Sequence, residues 1–247
     1  YTVNLWAVLY NLLKFRGKFD IVIDSENGIP FFTPLFVSKP IIGLVHHVHQ
    51  EVFRTGLRFP LAQIAKFLEG KLMPQVYKKI KMITISKSSK EGMEKIGFGK
   101  HLPIEIINPG VDLARFKPDV KTEKPSVLYL GRLKPYKSIE TAILAMAKVS
   151  KNVPDATLKI AGDGESRKNL EDLVKKLGLE NVVKFTGKVS ETVKVKLLSK
   201  AWVMVQPSTM EGWGMTVIEA NAAGTPVIAA NVAGLKDSIL HGKTGVL

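Results

Sequence analysis

The chain has 247 residues, 45% of them hydrophobic, and no cysteine. This length allows one large or two small domains with buried cores, and the lack of cysteine excludes disulfides and thiolate metal sites. A formal net charge of +14 favours polyanionic partners such as nucleic acid, an anionic membrane surface or phosphorylated substrates, although a lysine- and glutamate-rich surface of the kind found in thermophiles would explain it equally well. No apolar run reaches the ~18 residues that span a bilayer, and a start at Tyr1 instead of methionine predicts a fragment of a longer protein.

The first part of the chain alternates short β-branched runs with helical patterns, which predicts βαβ units and a parallel sheet. The predicted strands are Phe19–Asp24, Pro40–Val45 and Met82–Ser86. Apolar residues at helical spacing predict a helix over Leu61–Ile80, with Pro60 near its start and Pro74 breaking it. The turn-rich segment Ile106–Pro118 is interpreted as the connection between two domains.

The second part repeats strand, loop and helix more regularly. Its predicted strands are Ser126–Leu130, Ala156–Ala161, Val182–Thr186, Ala201–Gln206 and Pro226–Ala229. The predicted helices are Ser138–Lys151, Arg167–Leu177, Glu191–Ser199 and a short one ending near Gly224. Five strands with right-handed crossovers predict a doubly wound sheet, which binds ligands at the carboxyl ends of its strands.

The pattern with the most chemistry is E-G-W-G-M-T-V-I-E over Glu211–Glu219, where two glutamates flank a glycine-rich loop that opens a helix. Gly212 and Gly214 permit a tight turn and a close approach of backbone to ligand. Free N–H groups at the helix start favour a diphosphate, and Glu219 could accept hydrogen bonds from sugar hydroxyls. Glu219 could equally be a surface carboxylate that gains ~0.3–1 kcal/mol from the helix N-terminus. Without the neighbouring sequence, that second interpretation is the stronger.

Three histidines, His46, His47 and His49, follow an apolar strand and suggest a metal site. However, period-two spacing on an extended segment seldom closes such a site, and only Glu51 lies nearby as a carboxylate, so no metal is expected. The Gly162–Gly164 turn is weak evidence for a dinucleotide site, because the fingerprint lacks its third glycine and no acid closes the next strand. Basic residues are not interleaved with aromatics, and no nucleic-acid partner is expected.

The E-G-W-G-M-T-V-I-E pattern and the A-N-A-A-G-T-P-V-I-A that follows it resemble the retaining glycosyltransferases of family 4, also called group 1. Three further stretches are similar to elements of the same family in the same order, namely Tyr129–Lys137 (YLGRLKPYK), Ile160–Glu165 (IAGDGE) and Val205–Ser208 (VQPS). Ile107–Asp112 resembles the inter-domain element, with Pro109 inserted ahead of Gly110. The resemblance is dense from about residue 82 to 247 and thinner before.

The resemblance implies an α/β fold of the GT-B type, with two Rossmann-like, doubly wound parallel-sheet domains facing across a cleft. Residues 1–108 would be a partial acceptor-side domain, and residues 109–247 a nucleotide-sugar donor-binding domain truncated at its end. The family's first strand would precede Tyr1, so both domains are expected to be incomplete.

The resemblance also implies retaining transfer of a sugar from a nucleotide-sugar donor to an acceptor hydroxyl, with no metal or other cofactor. Arg132, Lys137 and the N–H groups near Gly214 and Met215 would stabilise the diphosphate. Glu219 would hold the ribose and Glu211 the donor sugar. The implied catalytic residues are His46, with His47 as runner-up, Glu211, Arg132 and Lys137. The implied donor-binding residues are Arg132, Lys137 and Glu211, together with Gly131, Gly162, Val189, Gly212, Trp213, Gly214, Met215, Thr216 and Glu219.

The segment Arg54–Lys81 bears on the class of acceptor, because it has seven basic residues and one acid. Its apolar stripe at helical spacing consists of Leu57, Leu61, Ile64, Leu68, Leu72, Val76 and Ile80. Such a segment could lie on an anionic bilayer, gaining ~1 kcal/mol per well-placed cation, and the acceptor would then be lipid-linked. The stronger interpretation is that the stripe packs on the first domain's sheet and leaves the lysines in water. A cytoplasmic location is expected, at the inner membrane face if the segment binds lipid.

Two other classes of function fit the same sequence. One is a non-catalytic GT-B partner subunit, which the intact set of Arg132, Lys137, Glu211 and Glu219 disfavours. The other is a polyanion-binding protein, which the net charge permits.

Overall fold

The computed structural model describes residues 2–15 and 17–247. The chain divides into two compact units, Tyr1–Asn108 and Pro109–Leu247, called the first and second unit below. Each unit is an α/β layer structure on a parallel sheet, which confirms the predicted class of fold.

The first unit has a four-stranded sheet of order β1-β2-β3-β4 in which every neighbouring pair is parallel. Its strands are β1 (Val22–Glu26), β2 (Ile41–Val45), β3 (Lys81–Thr84) and β4 (Ile104–Ile106). Its helices are α1 (Thr2–Tyr10), α2 (Gln50–Gly56), α3 (Leu61–Phe67), α4 (Met73–Val76) and α5 (Lys87–Lys95). Wider π-helical turns at Asn11–Phe15 and Leu68–Leu72 and a 3₁₀ turn at Thr33–Leu35 complete it. The core comprises Val45, Met73, Tyr77, Met82, Met93, Phe98 and Ile104.

The predicted break at Pro74 is wrong, because helical turns continue from Leu61 to Val76. The π-helical stretch Leu68–Leu72 directly precedes the turn that contains Pro74. A π turn changes the local hydrogen-bond ladder, and this is one way a helix accommodates a residue that has no N–H.

The apolar stripe predicted for this segment is also displaced. The residues buried along it are Ala62, Ala65, Glu69, Met73 and Tyr77. Each lies one position after a predicted stripe residue, so the helix is rotated by about 100° from the expected orientation. Leu61 and Ile64 are therefore exposed instead of packed on the sheet.

The second unit has a six-stranded sheet of order β10-β9-β8-β5-β6-β7, again parallel throughout. Its strands are β5 (Ser126–Leu130), β6 (Thr157–Ala161), β7 (Val183–Gly187), β8 (Val203–Gln206), β9 (Val227–Ala229) and β10 (Gly245–Val246). Its helices are α6 (Ile139–Asn152), α7 (Arg167–Lys176), α8 (Glu191–Lys200), α9 (Met215–Ala222) and α10 (Leu235–Ser238), with a 3₁₀ turn at Pro135–Lys137. The predicted doubly wound order is observed, since the chain builds outward from β5 in both directions.

Two short strands were not predicted. β10 has two residues and β4 has three, too few for an alternating pattern to show. β4 includes Ile106, which the sequence assigned to the connection between domains. The strand predicted over Phe19–Asp24 forms instead at Val22–Glu26. It includes two buried acidic residues, Asp24 and Glu26, and a prediction from apolar residues does not anticipate their burial.

Candidate active site

The switch point of the second sheet lies between β5 and β8, the two neighbouring strands from which the chain proceeds to opposite edges. In open α/β sheets, ligands bind in the crevice at the carboxyl ends of such strands. The loops after β5, β6 and β8 therefore define the candidate site.

Hydrogen bonds between backbone groups join the loops after β5, β6 and β7. Gly131 N–H donates to the Ala161 carbonyl (3.0 Å), and Gly162 N–H donates to the Gly187 carbonyl (2.8 Å). A Cβ at Gly162, which has a φ of 143°, would overlap the carbonyl oxygen of Gly131. Only glycine fits where these loops cross.

The loop after β5 presents two cations in different environments. Arg132 is exposed, and its Nη2 donates to the Tyr136 hydroxyl (3.0 Å). Its carbonyl accepts from the hydroxyl of buried Tyr129 (3.0 Å), which fixes the loop beneath the guanidinium. Lys137 is buried, with 8% of its surface exposed. Burial of an ammonium is unfavourable unless it is paired, and Lys137 has such a partner.

That partner is Glu211, whose Oε1 accepts from the ammonium of Lys137. The same oxygen accepts from Gln206 Nε2 (2.8 Å) and Ser208 Oγ (3.1 Å). Three donors to one oxygen fix the position of the Glu211 carboxylate in the loop that follows β8. The structure thus joins two residues to which the sequence assigned separate ligands, the diphosphate for Lys137 and the sugar for Glu211.

Helix α9 begins directly after the glycine-rich loop. Gly214 is its N-cap residue with a φ of 88°, and no side chain caps the helix start. The first N–H groups of α9, at Met215 and Thr216, therefore have no side-chain acceptor in the described chain. Free N–H groups and the helix dipole make such a start a favourable place for an anion.

Glu219 lies one turn into α9 and forms an ion pair with Lys194 of α8, with Nζ and Oε1 2.8 Å apart. Lys194 also contacts Glu191 (3.1 Å). Burial alone would lower the pKa of Lys194, but hydrogen bonds to the two carboxylates outweigh it and raise the pKa above its usual value.

The remaining predicted donor residues lie around this loop. Gly212 is half-buried between Glu211 and Trp213, and the indole Nε1 of Trp213 is buried with no hydrogen-bond partner among the described residues. Val189 follows the end of β7 and packs against the apolar core between the sheet and α8 and α9.

The predicted catalytic histidine lies in the first unit, at the end of β2. His46 Nε2 is 3.0 Å from Ser25 Oγ, and its carbonyl accepts from Ser89 Oγ (2.9 Å). Burial, and then the charge of His49, lower the pKa of His46. His46 is therefore neutral around pH 7, the state in which an imidazole can accept a hydrogen bond.

The rings of His47 and His49 are in contact, with centroids 3.9 Å apart and ring planes tilted by 35°. His49 is buried; its Nδ1 lies 3.3 Å from Glu69 Oε1 and its Nε2 lies 3.1 Å from Asn27 Oδ1. Both ring nitrogens are thus occupied, so His49 fixes the loop after β2. The described residues include no group of three or more potential ligands arranged around a metal ion.

A buried acidic cluster supports the same edge of the first sheet. The Tyr77 hydroxyl lies within hydrogen-bond distance of both Asp24 Oδ2 (2.6 Å) and Glu26 Oε1 (2.9 Å), and Thr33 Oγ1 donates to Asp24. Glu26 Oε1 accepts from Phe31 N–H (2.9 Å) as well. Burial, together with the charge of Asp24, raises the pKa of Glu26 to about 8. The cluster fixes the loop that follows β1.

Sequence reasoning missed several of these supporting residues, among them Ser25, Lys194, Gln206 and the acidic cluster. Gln206 gave a signal, since it is a polar residue at the end of the apolar run A-W-V-M-V-Q. Lys194 gave none, because lysine is common on the surface of a charged helix.

Comparison with known proteins assigns a family to the second unit. The family model of group 1 glycosyl transferases matches residues 111–247, more than half of the chain. A glycogen synthase from Mycobacterium tuberculosis is 34% identical over 171 residues, covering 67% of this chain and 41% of that protein. A GDP-mannose-dependent α-(1-6)-phosphatidylinositol monomannoside mannosyltransferase from the same organism is 34% identical over 168 residues, covering 61% and 44%. The chain thus spans less than half the length of these relatives.

Among solved structures, HepE from Anabaena, crystallised with UDP and glucose, has a similar fold. The TM-score is 0.75 at 20% sequence identity, and the match covers 99% of this chain and 66% of HepE. At this identity the similarity establishes the fold, which is the predicted GT-B type. From the family match, the sequence relatives and this fold, the chain belongs to the group 1 glycosyltransferases.

Proposed function

We propose that the protein transfers a sugar from a nucleotide-sugar donor to an acceptor hydroxyl, with retention of anomeric configuration. The observation that carries this proposal is the grouping of Lys137, Glu211 and the uncapped start of α9 at the switch point of the second sheet. A diphosphate requires cations and N–H donors, and a sugar requires a fixed carboxylate acceptor. HepE, whose crystals contain UDP and glucose, shares the fold.

In the proposed reaction, the bond between the anomeric carbon and the diphosphate oxygen breaks as the acceptor oxygen attacks from the same face. The acceptor's proton passes to the departing diphosphate. The chain's residues orient the donor and stabilise the charge that develops on the leaving group. We assign that stabilisation to Arg132, Lys137 and the N–H groups of Met215 and Thr216. Because these groups supply positive charge, we propose that the transfer needs no metal or other cofactor.

A donor-hydrolysis and transfer assay tests this proposal. The protein is incubated with UDP-glucose, GDP-mannose and ADP-glucose, with and without EDTA, and release of nucleoside diphosphate is measured. We expect release from at least one donor, at a rate that EDTA leaves unchanged and that Glu211→Ala lowers. Binding of a nucleoside diphosphate without release from any donor would favour the non-catalytic partner subunit. Binding of DNA without binding of any nucleotide would favour the polyanion-binding protein.

We also propose that the first unit contacts an anionic membrane and that the acceptor is lipid-linked. The supporting observation is an apolar patch around α3, formed by Phe59 (82% exposed), Leu61, Ile64 and Phe67. The basic residue Arg58, which precedes Phe59 in the sequence, is also exposed. An apolar patch with adjacent cations is suited to the interface of an anionic bilayer. No helix in residues 2–15 and 17–247 has the length and apolarity needed to cross a bilayer.

The mycobacterial mannosyltransferase is named for a phosphatidylinositol monomannoside acceptor, which is consistent with a lipid-linked substrate here. On this proposal the enzyme works at the cytoplasmic face, a reducing compartment that suits a chain without cysteine.

Vesicle co-sedimentation tests the membrane proposal. We expect the protein to bind vesicles containing anionic lipid at low salt, to bind neutral vesicles weakly, and to lose binding in Phe59→Ser/Phe67→Ser. Leu35→Ser is the matched control, because Leu35 is an exposed apolar residue of the same unit outside the patch. Absence of binding to anionic vesicles at low salt would instead indicate a soluble acceptor.

A further inference from the structure

We propose that Lys194 is a positioning residue for the nucleotide site: it fixes Glu219 through one carboxylate oxygen and leaves the other free for the ribose hydroxyls. This inference rests on the proposed function, because it requires a nucleotide at the start of α9. It assigns a role to a lysine on α8, which lies outside the Glu211–Glu219 motif.

The ammonium of Lys194 contacts three side chains of the protein. It lies 2.8 Å from Glu219 Oε1 and 3.1 Å from Glu191 Oε2, and it lies over the ring of Phe116 at 5.2 Å from the centroid. An ammonium has three N–H donors. Two of them have carboxylate partners, and the buried ring of Phe116 lies against the ammonium as well. The contacts of Lys194 are thus with the protein's own side chains, and we infer that it acts on the nucleotide through Glu219.

Burial shows which of the two ion pairs is the stronger. The side chains of Lys194 and Glu219 are 15% and 12% exposed, whereas that of Glu191 is 60% exposed. An exposed pair contributes little because water screens it. The contact with Glu219 is more sheltered, and removal of Lys194 would leave the half-buried Glu219 carboxylate without its ion-pair partner.

The head of Lys194 is itself held in place. Phe116, which lies beneath it, is buried in the core of the second unit. Arg115 forms an ion pair with Glu191 (2.7 Å) and lies over the same ring. These contacts restrict the conformations of the long lysine side chain, so the Glu219 carboxylate that it binds has a fixed orientation.

The second carboxylate oxygen of Glu219, Oε2, is left without a partner among the described residues. The side chain of Glu219 accepts one hydrogen bond there, from Lys194 to Oε1. Oε2 is then available to accept from two vicinal hydroxyls, the pattern that a ribose presents. A carboxylate held at one oxygen loses less conformational entropy on binding than a free one.

Calorimetry with a matched pair of ligands tests the inference. UDP, GDP and ADP are titrated into the wild type, and the tightest of them is compared with its 2′,3′-dideoxy analogue. We expect the analogue to bind the wild type about tenfold more weakly, the effect of losing a hydrogen bond to a charged group.

Lys194→Met should bind the ribose form about tenfold more weakly and the dideoxy form as tightly as the wild type does. Lys194→Met/Glu219→Gln should be no weaker than either single variant, because the two residues act as one unit. Lys194→Arg, which keeps the charge, should retain the preference for ribose. Lys196→Met, an exposed lysine on the same helix, should leave both affinities unchanged.

Two results would overturn the inference while leaving the proposed function in place. One is unchanged ribose-form affinity in Lys194→Met. The other is an equal loss for both ligands, which would show that Lys194 merely ties α8 to α9. Failure of the wild type to bind any of the three nucleotides would instead overturn the proposed function, and this inference with it.

Discussion

Lys137 and Glu211 come from the loops after two neighbouring parallel strands, β5 and β8, and their side chains form an ion pair at the switch point of the sheet. The two side chains are only 10% and 15% exposed. In this pair, a cation of the kind that binds a diphosphate contacts a carboxylate of the kind that binds sugar hydroxyls. A ligand with both groups, such as a nucleotide sugar, would meet both residues at once.

The two glutamates of the glycine-rich loop should have separable effects. Glu219→Ala is expected to weaken binding of free nucleoside diphosphate about tenfold, because Glu219 is assigned to the ribose. Glu211→Ala should leave that affinity nearly unchanged and lower the transfer rate, because free nucleoside diphosphate carries no sugar. Calorimetry and a transfer assay measure the two effects. Equal loss of nucleotide affinity in both variants would contradict this division.

The histidine at the end of β2 is predicted to act in turnover. His46→Ala should lower kcat while leaving nucleoside-diphosphate affinity intact, because His46 belongs to the first unit and the nucleotide residues to the second. His47→Ala is the comparison, measured in the same assay. A loss of kcat in His47→Ala with normal turnover in His46→Ala would transfer the role to His47.

The crossing of loops at Gly162 predicts a strong effect on stability. Gly162→Ala should lower the free energy of unfolding by about 2–3 kcal/mol, because its Cβ would overlap the backbone carbonyl of Gly131 and one of the two backbones would have to shift. Differential scanning calorimetry would show this as a lower Tm. Gly110→Ala is the matched control, since a Cβ there meets no atom within 4 Å. Equal Tm values for the two variants would show that the loops can separate.

The acidic cluster of the first unit predicts a dependence of stability on pH. The pKa of Glu26 is raised from 4.5 to about 8, so the folded state keeps a proton that the unfolded state releases above pH 4.5. The contribution of Glu26 is therefore complete below pH 4.5 and is lost as the pH rises to about 8.

Glu26→Gln, which imitates the neutral acid, should be measured beside the wild type by thermal unfolding between pH 5 and pH 8. The Tm of the wild type should fall relative to that of the variant as the pH rises. A constant difference across this range would show that Glu26 does not titrate there.

The regular parts of the fold were predictable because their patterns are local. β5 was predicted at Ser126–Leu130 and forms there, since an apolar run followed by Gly-Arg marks both its strand and its end. The helix at Leu61–Val76 was predicted with the wrong face inward. Small Ala62 and Ala65 are buried, whereas the larger Leu61 and Ile64 are exposed, and hydrophobicity alone does not predict that choice.

The candidate site was predictable where a motif carries it and not where packing creates it. Glu211 and Glu219 lie in one short pattern, and the structure places them at the switch point with Lys137. The partners Lys194 and Gln206 were missed. Lys194 lies 25 residues from Glu219, and the two meet only because α8 and α9 pack together. Gln206 is near in sequence, but its contact depends on how the β8 loop folds back.

Binding of a nucleoside diphosphate by Arg132 and Lys137 is tested most directly by calorimetric titration of UDP, GDP and ADP into the wild type and single variants. Arg132→Ala and Lys137→Ala should each bind the tightest of these ligands tenfold or more weakly, about 1.4 kcal/mol per decade. Lys134→Ala is the control, because Lys134 lies in the same loop and pairs with exposed Glu165; its affinity should match the wild type. Unchanged affinity in both Arg132→Ala and Lys137→Ala would contradict the assignment of the diphosphate to this loop.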